Sequence, residues 1–594
     1  MSSMPEPSTV ASEWLSAFAH SLATKDAEGI TSAFLPDGWL RDILVFSWDN
    51  RSLGSQSKIL PYLKNNFKFV NISRIALDDR EGLSPRFGPV TPSQQGVSAG
   101  FTFATNIAWG QGYFHLLRDE NQNWKALSVF MRSCDWRGHE ERRGEFGMYG
   151  GHTLAWSDVL SRRRLETEES LLAVIVGAGQ VGLMIAARLK QMDIPALIIE
   201  ANARVGDNWR KRYPTLTLHT IRTHHQFLYQ PYPKNWPLYT PRDKLADWLE
   251  QYSLSQDLVV WTNSNILPTP VYDDREHRWT LQVRRNGAIS TLRPRHVILA
   301  TGTLGDPRMP DLPGQAVFTG GTLHASQYNG GHQYAGKKVV VIGAGNTSAD
   351  ICQDLVFNKA ASVTMVQRST TCIVKLESTK AELERFWPEG RDPDVSDFIF
   401  SSIPLGLAKK IAGEPFEGKW AEERKMHELL RERGFSVHLG ENEVGNFPMV
   451  FERLGGYWID VGCADLISSG DVKVKQGVEP TSFASSALIF RDGSRLDADI
   501  VIFATGYHRM TQTMKKVFGE QAIDRTGEVW GLDEEGEIKG CYRPSGHPGL
   551  WYGAGDFYNA RFSSQQLALH LKAIELGYVN RDKPKERYTH QARL

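Results

Sequence analysis

Two segments of this chain repeat one local pattern, and the pattern limits what the chain can fold into. Residues 171–176 are an apolar run, Gly177-Ala178-Gly179-Gln180-Val181-Gly182 follows, and residues 183–192 have helical composition. A short apolar run without alternation reads as a strand buried on both faces of a parallel sheet. The first glycine permits a tight turn, the second a close backbone approach, and the third packs helix on strand. Free N–H groups at the helix start then form a seat for a pyrophosphate. A second strand, 195–199, ends in Glu200, 23 positions after Gly177. That is near the spacing expected of an acid that accepts a ribose hydroxyl.

The pattern returns 166 residues later, with Gly343 in the place of Gly177. Strand 337–342 leads into Gly343-Ala344-Gly345-Asn346-Thr347-Ser348, and a further strand, 361–367, ends at Arg368. Ser348 stands where the third glycine would be and is still small. An arginine at this strand end can pair with a 2′-phosphate that an acid would repel. The alternative is a solvated surface arginine. The separation is a whole domain, so the chain carries two nucleotide-binding folds rather than a short repeat. Two apolar strands, 294–302 and 498–506, both end in Ala-Thr-Gly, at Gly302 and at Thr505-Gly506. Small residues there let a backbone or a ligand come close.

The remaining organisation is read around these folds. At about 150 residues per domain, 594 residues suggest roughly four units. Residues 1–150 place Trp14, Ala17, Phe18 and Leu22 at helical spacing. Strand-like stretches follow at 42–48, 68–76, 97–109, 113–118 and 124–134, so this is a small α+β domain. Residues 151–170 are charged and read as a linker, with a surface helix as the alternative. The first nucleotide domain takes 171–335, the second 336–510, and 511–594 returns to the first. A helical insertion near 386–451 interrupts the second fold. It either shapes a substrate pocket or is structural padding.

Composition excludes other classes. Lysine plus arginine equals aspartate plus glutamate at 68 each, so no basic surplus argues for nucleic acid. Five cysteines without a C-x-x-C pair exclude a disulfide scaffold and a redox dithiol. No apolar run of about 18 residues predicts a membrane span, and the N-terminus lacks a secretory pattern. A soluble, cytoplasmic protein without a metal site is expected.

Gly206-Asp207-Asn208-Trp209 follows the first acid closely. Between the two folds lies Phe318-x-Gly320-x3-His324-x3-Tyr328. With these motifs in order over 171–577, the chain resembles the class B flavoprotein monooxygenases. That group holds the flavin-containing monooxygenases, the YUCCA-type indole-pyruvate monooxygenases and the Baeyer–Villiger monooxygenases. The terminal Tyr328, where the Baeyer–Villiger branch has Trp, weighs against that branch. The resemblance implies an α/β fold with two Rossmann-like domains. It implies FAD on Gly177, Gly179, Gln180, Val181, Gly182, Glu200, Asn208, Trp209 and Gly302, with Asp556 of Gly555-Asp556-Phe557 at the ribityl chain. It implies NADPH on Gly343, Gly345, Asn346, Thr347, Ser348 and Arg368, and Thr505 and Gly506 are further cofactor-binding candidates. His219 stands near the position of a flavin-side asparagine in broad-substrate relatives. His219 and His324 are the candidate catalytic residues. Residues 1–150 are similar to the nuclear-transport-factor-like, or SnoaL-like, cone fold, which holds a small apolar ligand or mediates a homodimer.

The function implied is an FAD-dependent monooxygenase that uses NADPH and O2 on a small molecule through a flavin C4a-hydroperoxide. The cofactor carries the hard chemistry, so a scarcity of acid–base pairs is no argument against an enzyme. The alternatives are a Baeyer–Villiger monooxygenase and a nucleotide-binding NADPH oxidase or redox sensor.

Overall fold

The computed structural model describes residues 6–142, 144–415 and 418–579. The outermost parts of the first and last expected domains, 1–5 and 580–594, lie outside the described residues.

The N-terminal part wraps helices Pro7–Ala23 and Gln56–Asn66 over a seven-stranded sheet. The strand order is Asn50–Gly54, Phe34–Ile43, Trp124–Trp136, Ala108–Arg118, Gln95–Ala104, Ser73–Leu77, with Arg86–Pro89 also on Gln95–Ala104. Only the Phe34–Ile43 and Trp124–Trp136 pair is parallel. One face packs on Trp14, Phe18 and Leu22 of the first helix. The other face packs on the rest of the chain: Tyr113 and Phe130 meet Phe398, and the Trp136 indole donates to the Leu569 carbonyl at 2.8 Å. Burial on both faces explains why these strands do not alternate polar and apolar residues.

Two expected strands are corrected. The run 97–109 is split, because the Ala108 N–H donates to Thr105 Oγ1 at 2.9 Å and turns the chain between two strands. The run 42–48 leaves the sheet at Ile43, where Asp42 Oδ1 accepts the Val45 N–H at 2.9 Å. The segment read as a linker, 151–170, carries helix Trp156–Glu169, tied down by the Trp261 indole donating to Glu168 at 2.8 Å.

The first nucleotide fold is a parallel sheet ordered Val260–Trp261, Ala196–Ile199, Ala173–Val176, His296–Leu299, Leu550–Tyr552. Its last strand arrives from far along the chain. Helix Phe557–Glu575 follows that strand and packs on helix Gln180–Gln191. The second fold is parallel too: Gly321–His324, Ile500–Phe503, Lys338–Ile342, Ser362–Gln367, Val472–Gln476. The insertion is larger than 386–451 and is not wholly helical. Strand Thr371–Lys375 pairs with Val437–His438 and Tyr457–Asp460, and helices Leu376–Phe386 to Phe447–Glu452 fill the space between.

Two buried ion pairs lock these parts together. Arg561 grips Asp397 of the insertion through two hydrogen bonds of 2.8 and 2.7 Å. Arg41 of the N-terminal part grips Glu537 through two of 2.7 and 2.9 Å. Each is planar and bidentate, the geometry that favours arginine over lysine.

Candidate functional site

The two glycine turns are built alike. Gly177 has φ +105°, and a Cβ there would lie 2.6 Å from the Ala300 carbonyl oxygen. Gly343 has φ +128°, and its Cβ would lie 2.4 Å from the Ala504 carbonyl oxygen. The two Ala-Thr-Gly strand ends thus have one role: each lays a carbonyl against the first glycine of its own fold. A side chain at either glycine would clash with backbone and force an unfavourable left-handed conformation. Gly182 is tighter still, with its Cβ position 2.0 Å from the Gly177 carbonyl oxygen.

Glu200 is buried and aimed by the backbone. Its Oε2 accepts the Ala178 N–H at 2.7 Å, and its Oε1 accepts the Asn202 N–H at 2.8 Å. Gly179, Gln180, Val181, Asn208, Trp209 and Gly302 line one large cavity beside it. The Asn208 amide comes 3.4 Å from where a Gly179 Cβ would be, so the amide reaches the turn. The buried Trp209 indole N–H has no partner among the described residues.

The second turn meets the same cavity through Asn346 and Thr347, at the start of helix Asn346–Phe357. Asn346 Oδ1 accepts the Ile459 N–H at 2.9 Å, which ties the turn to the inserted sheet. Gly343, Gly345 and Ser348 lie behind it and shape the backbone. The Ser348 hydroxyl is buried 3.0 Å from the Gly343 Cβ position, as close packing at a small residue requires. Arg368 is exposed beyond the strand end, with Nη1 3.5 Å from Glu479. The Thr505 hydroxyl donates to the Arg308 carbonyl at 2.5 Å, and Gly506 takes φ +77°.

His219 lines the cavity between the two folds. Its Nε2 lies 3.4 Å from Asp350 Oδ1, and the Tyr213 hydroxyl donates to Asp350 Oδ2 at 2.5 Å. Burial opposes a charged imidazole here, but hydrogen bonding and charge from Asp350, helped by Asn346 and Asp460, raise its pKa above the usual value. Asp350 and Tyr213 were not foreseen. Asp350 follows Asn346 by four residues, one helical turn, so its shared face was readable from the spacing. His224 was also missed. Its Nε2 lies 3.4 Å from Asp556 Oδ2, and both line the cavity. Asp556 caps helix Phe557–Glu575 by accepting the Asn559 N–H at 3.0 Å. Burial works against its charge, yet the His224 hydrogen bond holds its carboxyl below the ordinary range.

His324 lies apart from His219. It is buried and is not among the residues lining the cavity. Its Nδ1 accepts the Ser326 N–H at 3.1 Å, and its Nε2 meets the Gly506 carbonyl oxygen at 3.0 Å. Burial lowers its pKa, so the ring stays neutral and Nε2 donates. Tyr328 of the same motif donates to Asp354 at 2.6 Å. The motif thus ties the crossover to the strand end at Gly506 and to helix Asn346–Phe357.

No group of three or more metal-ligating side chains occurs among the described residues, and no described helix is long and apolar enough to cross a membrane. The five cysteines are buried and unpaired, and burial pushes the Cys372 thiol up to about 12.

Comparisons with known proteins agree with this geometry. Residues 174–384 match the family model "Pyridine nucleotide-disulphide oxidoreductase". Indole-3-pyruvate monooxygenase YUCCA1 of Oryza sativa subsp. japonica is 28% identical over 359 residues, 59% of this chain and 79% of that protein. Probable indole-3-pyruvate monooxygenase YUCCA7 of Arabidopsis thaliana is 29% identical over 379 residues, 62% and 81% of the two chains. The open crystal structure of cyclohexanone monooxygenase shares the fold, with TM-score 0.50, 17% identity and coverage of 69% of this chain and 88% of that one. The matched family model spans both glycine turns, the chain is similar to indole-3-pyruvate monooxygenases, and it is an enzyme whose cofactors are FAD and NADPH.

Proposed function

We propose that this protein is an NADPH-dependent flavin monooxygenase that transfers one oxygen atom of O2 to a small organic substrate. The overall balance is substrate, O2, NADPH and H+ giving oxygenated substrate, NADP+ and water. The observation that carries the reading is one continuous cavity of about 1490 Å3 that meets both glycine turns. Two dinucleotides seated on opposite turns would bring their redox ends into the same space. Bound FAD supplies hydride acceptance and oxygen activation; the residues supply orientation and the exclusion of water.

Each group has a part in this reading. The N–H groups at the start of helix Gln180–Gln191 hold one pyrophosphate, and those at Asn346 and Thr347 the other. Glu200 accepts a ribose hydroxyl, and Trp209 lines the cavity beside it. Arg368 pairs with the 2′-phosphate of NADPH. His219, whose pKa Asp350 raises against the effect of burial, is placed to take up a proton beside the shared space. Asp556 and His224 close the far end. The N-terminal part is read as a nuclear-transport-factor-like cone, from its helices packed over one face of its sheet.

The test is direct. Purified protein should carry yellow flavin, NADPH should bleach it without oxygen, and substrate should stimulate NADPH consumption with an oxygenated product. Protein without flavin, or flavin that NADPH leaves oxidised, refutes the reading. NADPH consumption that yields only peroxide, whatever compound is added, favours an oxidase.

A further inference from the structure

The cavity continues past the two glycine turns into a second lobe. Phe386, Trp387, Phe400, Phe447 and Phe451 of the insertion form its walls, with Tyr558 from the C-terminal helix. Helix Leu405–Ala412 presents Ala408, Ile411 and Ala412 to it, at spacings that share one helical face. A further wall comes from the N-terminal part. Val90 and Pro92 reach the lobe from the turn between strands Arg86–Pro89 and Gln95–Ala104. That turn is held in place: Thr91 and Ser93 hydroxyls donate to Glu414 at 2.9 and 2.7 Å, and Val90 packs with Leu407 and Ile411.

The charged groups near these walls are engaged or exposed. Glu423 is buried and accepts from the Ser378 hydroxyl, and the Lys419 ammonium donates to the Ala412 carbonyl. Glu382 and Arg385 are solvent-exposed. Both also line the cavity, at its exposed side, so a charged ligand among the aromatic walls would lose hydration away from them, whereas apolar atoms gain by leaving water. Ligand pockets are mostly apolar, with polar groups only where orientation is fixed. Here the polar groups lie at the nucleotide end.

We propose that this lobe is the substrate site and takes a large, uncharged, mainly apolar small molecule, an arene or alkyl-arene carrying the oxidisable atom, with the N-terminal part serving as one wall. The proposal rests on the monooxygenase reading and adds the substrate class and the role of the N-terminal part.

The test uses the flavin-loaded protein and n-alkyl phenyl sulfides from methyl to octyl, with ω-carboxylated counterparts. Equilibrium dialysis gives binding, and sulfoxide gives turnover; that step consumes one O2, one NADPH and one proton per sulfoxide and water formed. Affinity should rise about fourfold per methylene until the lobe is full. Carboxylated members should bind at least about tenfold more weakly. Ala408→Trp and Ala412→Trp, with flavin content as the check on folding, should end the rise at a shorter chain. Pro92→Trp, on an exposed turn of the N-terminal part, should do the same. Affinity independent of chain length, equal binding of the carboxylates, or an unchanged length limit in all three variants overturns the proposal. If the series binds as expected but NADPH neither bleaches the flavin nor yields sulfoxide, the lobe stands and the monooxygenase reading falls. If sulfoxide forms without chain-length dependence, the reverse holds.

Discussion

The Arg41–Glu537 pair carries the sharpest prediction, because it decides how the N-terminal part sits on the flavin part. Both side chains are buried. Glu537 Oε1 also accepts the Ser52 hydroxyl at 2.6 Å, and Arg41 Nη1 donates to the Ser401 carbonyl at 2.7 Å. Glu537→Met leaves a buried guanidinium with the Ser401 carbonyl, Tyr558 and the Phe130 ring but no anion in hydrogen-bond contact, and Arg41→Met leaves a buried carboxylate with the Ser52 hydroxyl and the more distant Arg543. Removing one member of such a pair costs about 3–5 kcal/mol. The double variant Arg41→Met/Glu537→Met removes both charges and forfeits mainly two neutral contacts, at about 0.5–1.5 kcal/mol each, so about 1–3 kcal/mol in all. It should therefore be more stable than either single variant, and far from additive. Urea unfolding of the flavin-loaded protein, read at the first transition, measures all four corners of the cycle. The pH dependence has a definite sign. Burial opposes the Glu537 charge, but Arg41 outweighs it and lowers the carboxyl pKa. Its contribution is present above the unfolded carboxylate value and is lost as pH falls through the lower folded one. The gap between wild type and Glu537→Met should narrow in acid. A double variant that loses the sum of the two single losses would show that the groups act independently, and the reasoning would fail.

Arg368→Ala should cut the preference of kcat/KM for NADPH over NADH by roughly ten- to a hundredfold, the worth of a charge-assisted hydrogen bond; an unchanged ratio removes the phosphate role. Asp350→Asn should lower the His219 pKa and move the alkaline limb of NADPH-driven flavin bleaching to lower pH. Because the folded value is raised, the charged form's contribution is complete below the unfolded histidine value and fades as pH rises through the folded one; an unmoved limb assigns it to another group. Gly182→Ala places a methyl 2.0 Å from the Gly177 carbonyl oxygen, so the turn must open at about 1–3 kcal/mol and flavin content should fall; full flavin retention would show that the turn yields.

Both nucleotide turns were legible because they are local. Their conformations depend on residues a few positions apart, and a missing Cβ leaves a clear mark in the sequence. Gly177 and Gly343 needed no partner to be singled out, although their partners, Ala300 and Ala504, were visible only as matched strand ends. The surroundings of His324 were hidden for the opposite reason. Its motif spacing was clear, but the use of its ring depended on the Gly506 carbonyl, 182 residues away. His224 escaped notice because its partner Asp556 comes from another segment, and the pairing of Asp350 with His219 and Tyr213 was hidden in the same way.

By itself the sequence determined the two folds and their glycine turns, because strand length and glycine placement are properties of short stretches. Only the tertiary structure decided which of two histidines faces the cavity and that the insertion forms walls rather than padding. It also decided that Val90 and Pro92 stand beside a lobe lined by residues some 300 positions later. Those outcomes depend on long-range packing and on the pairing of buried charges, which no local pattern records.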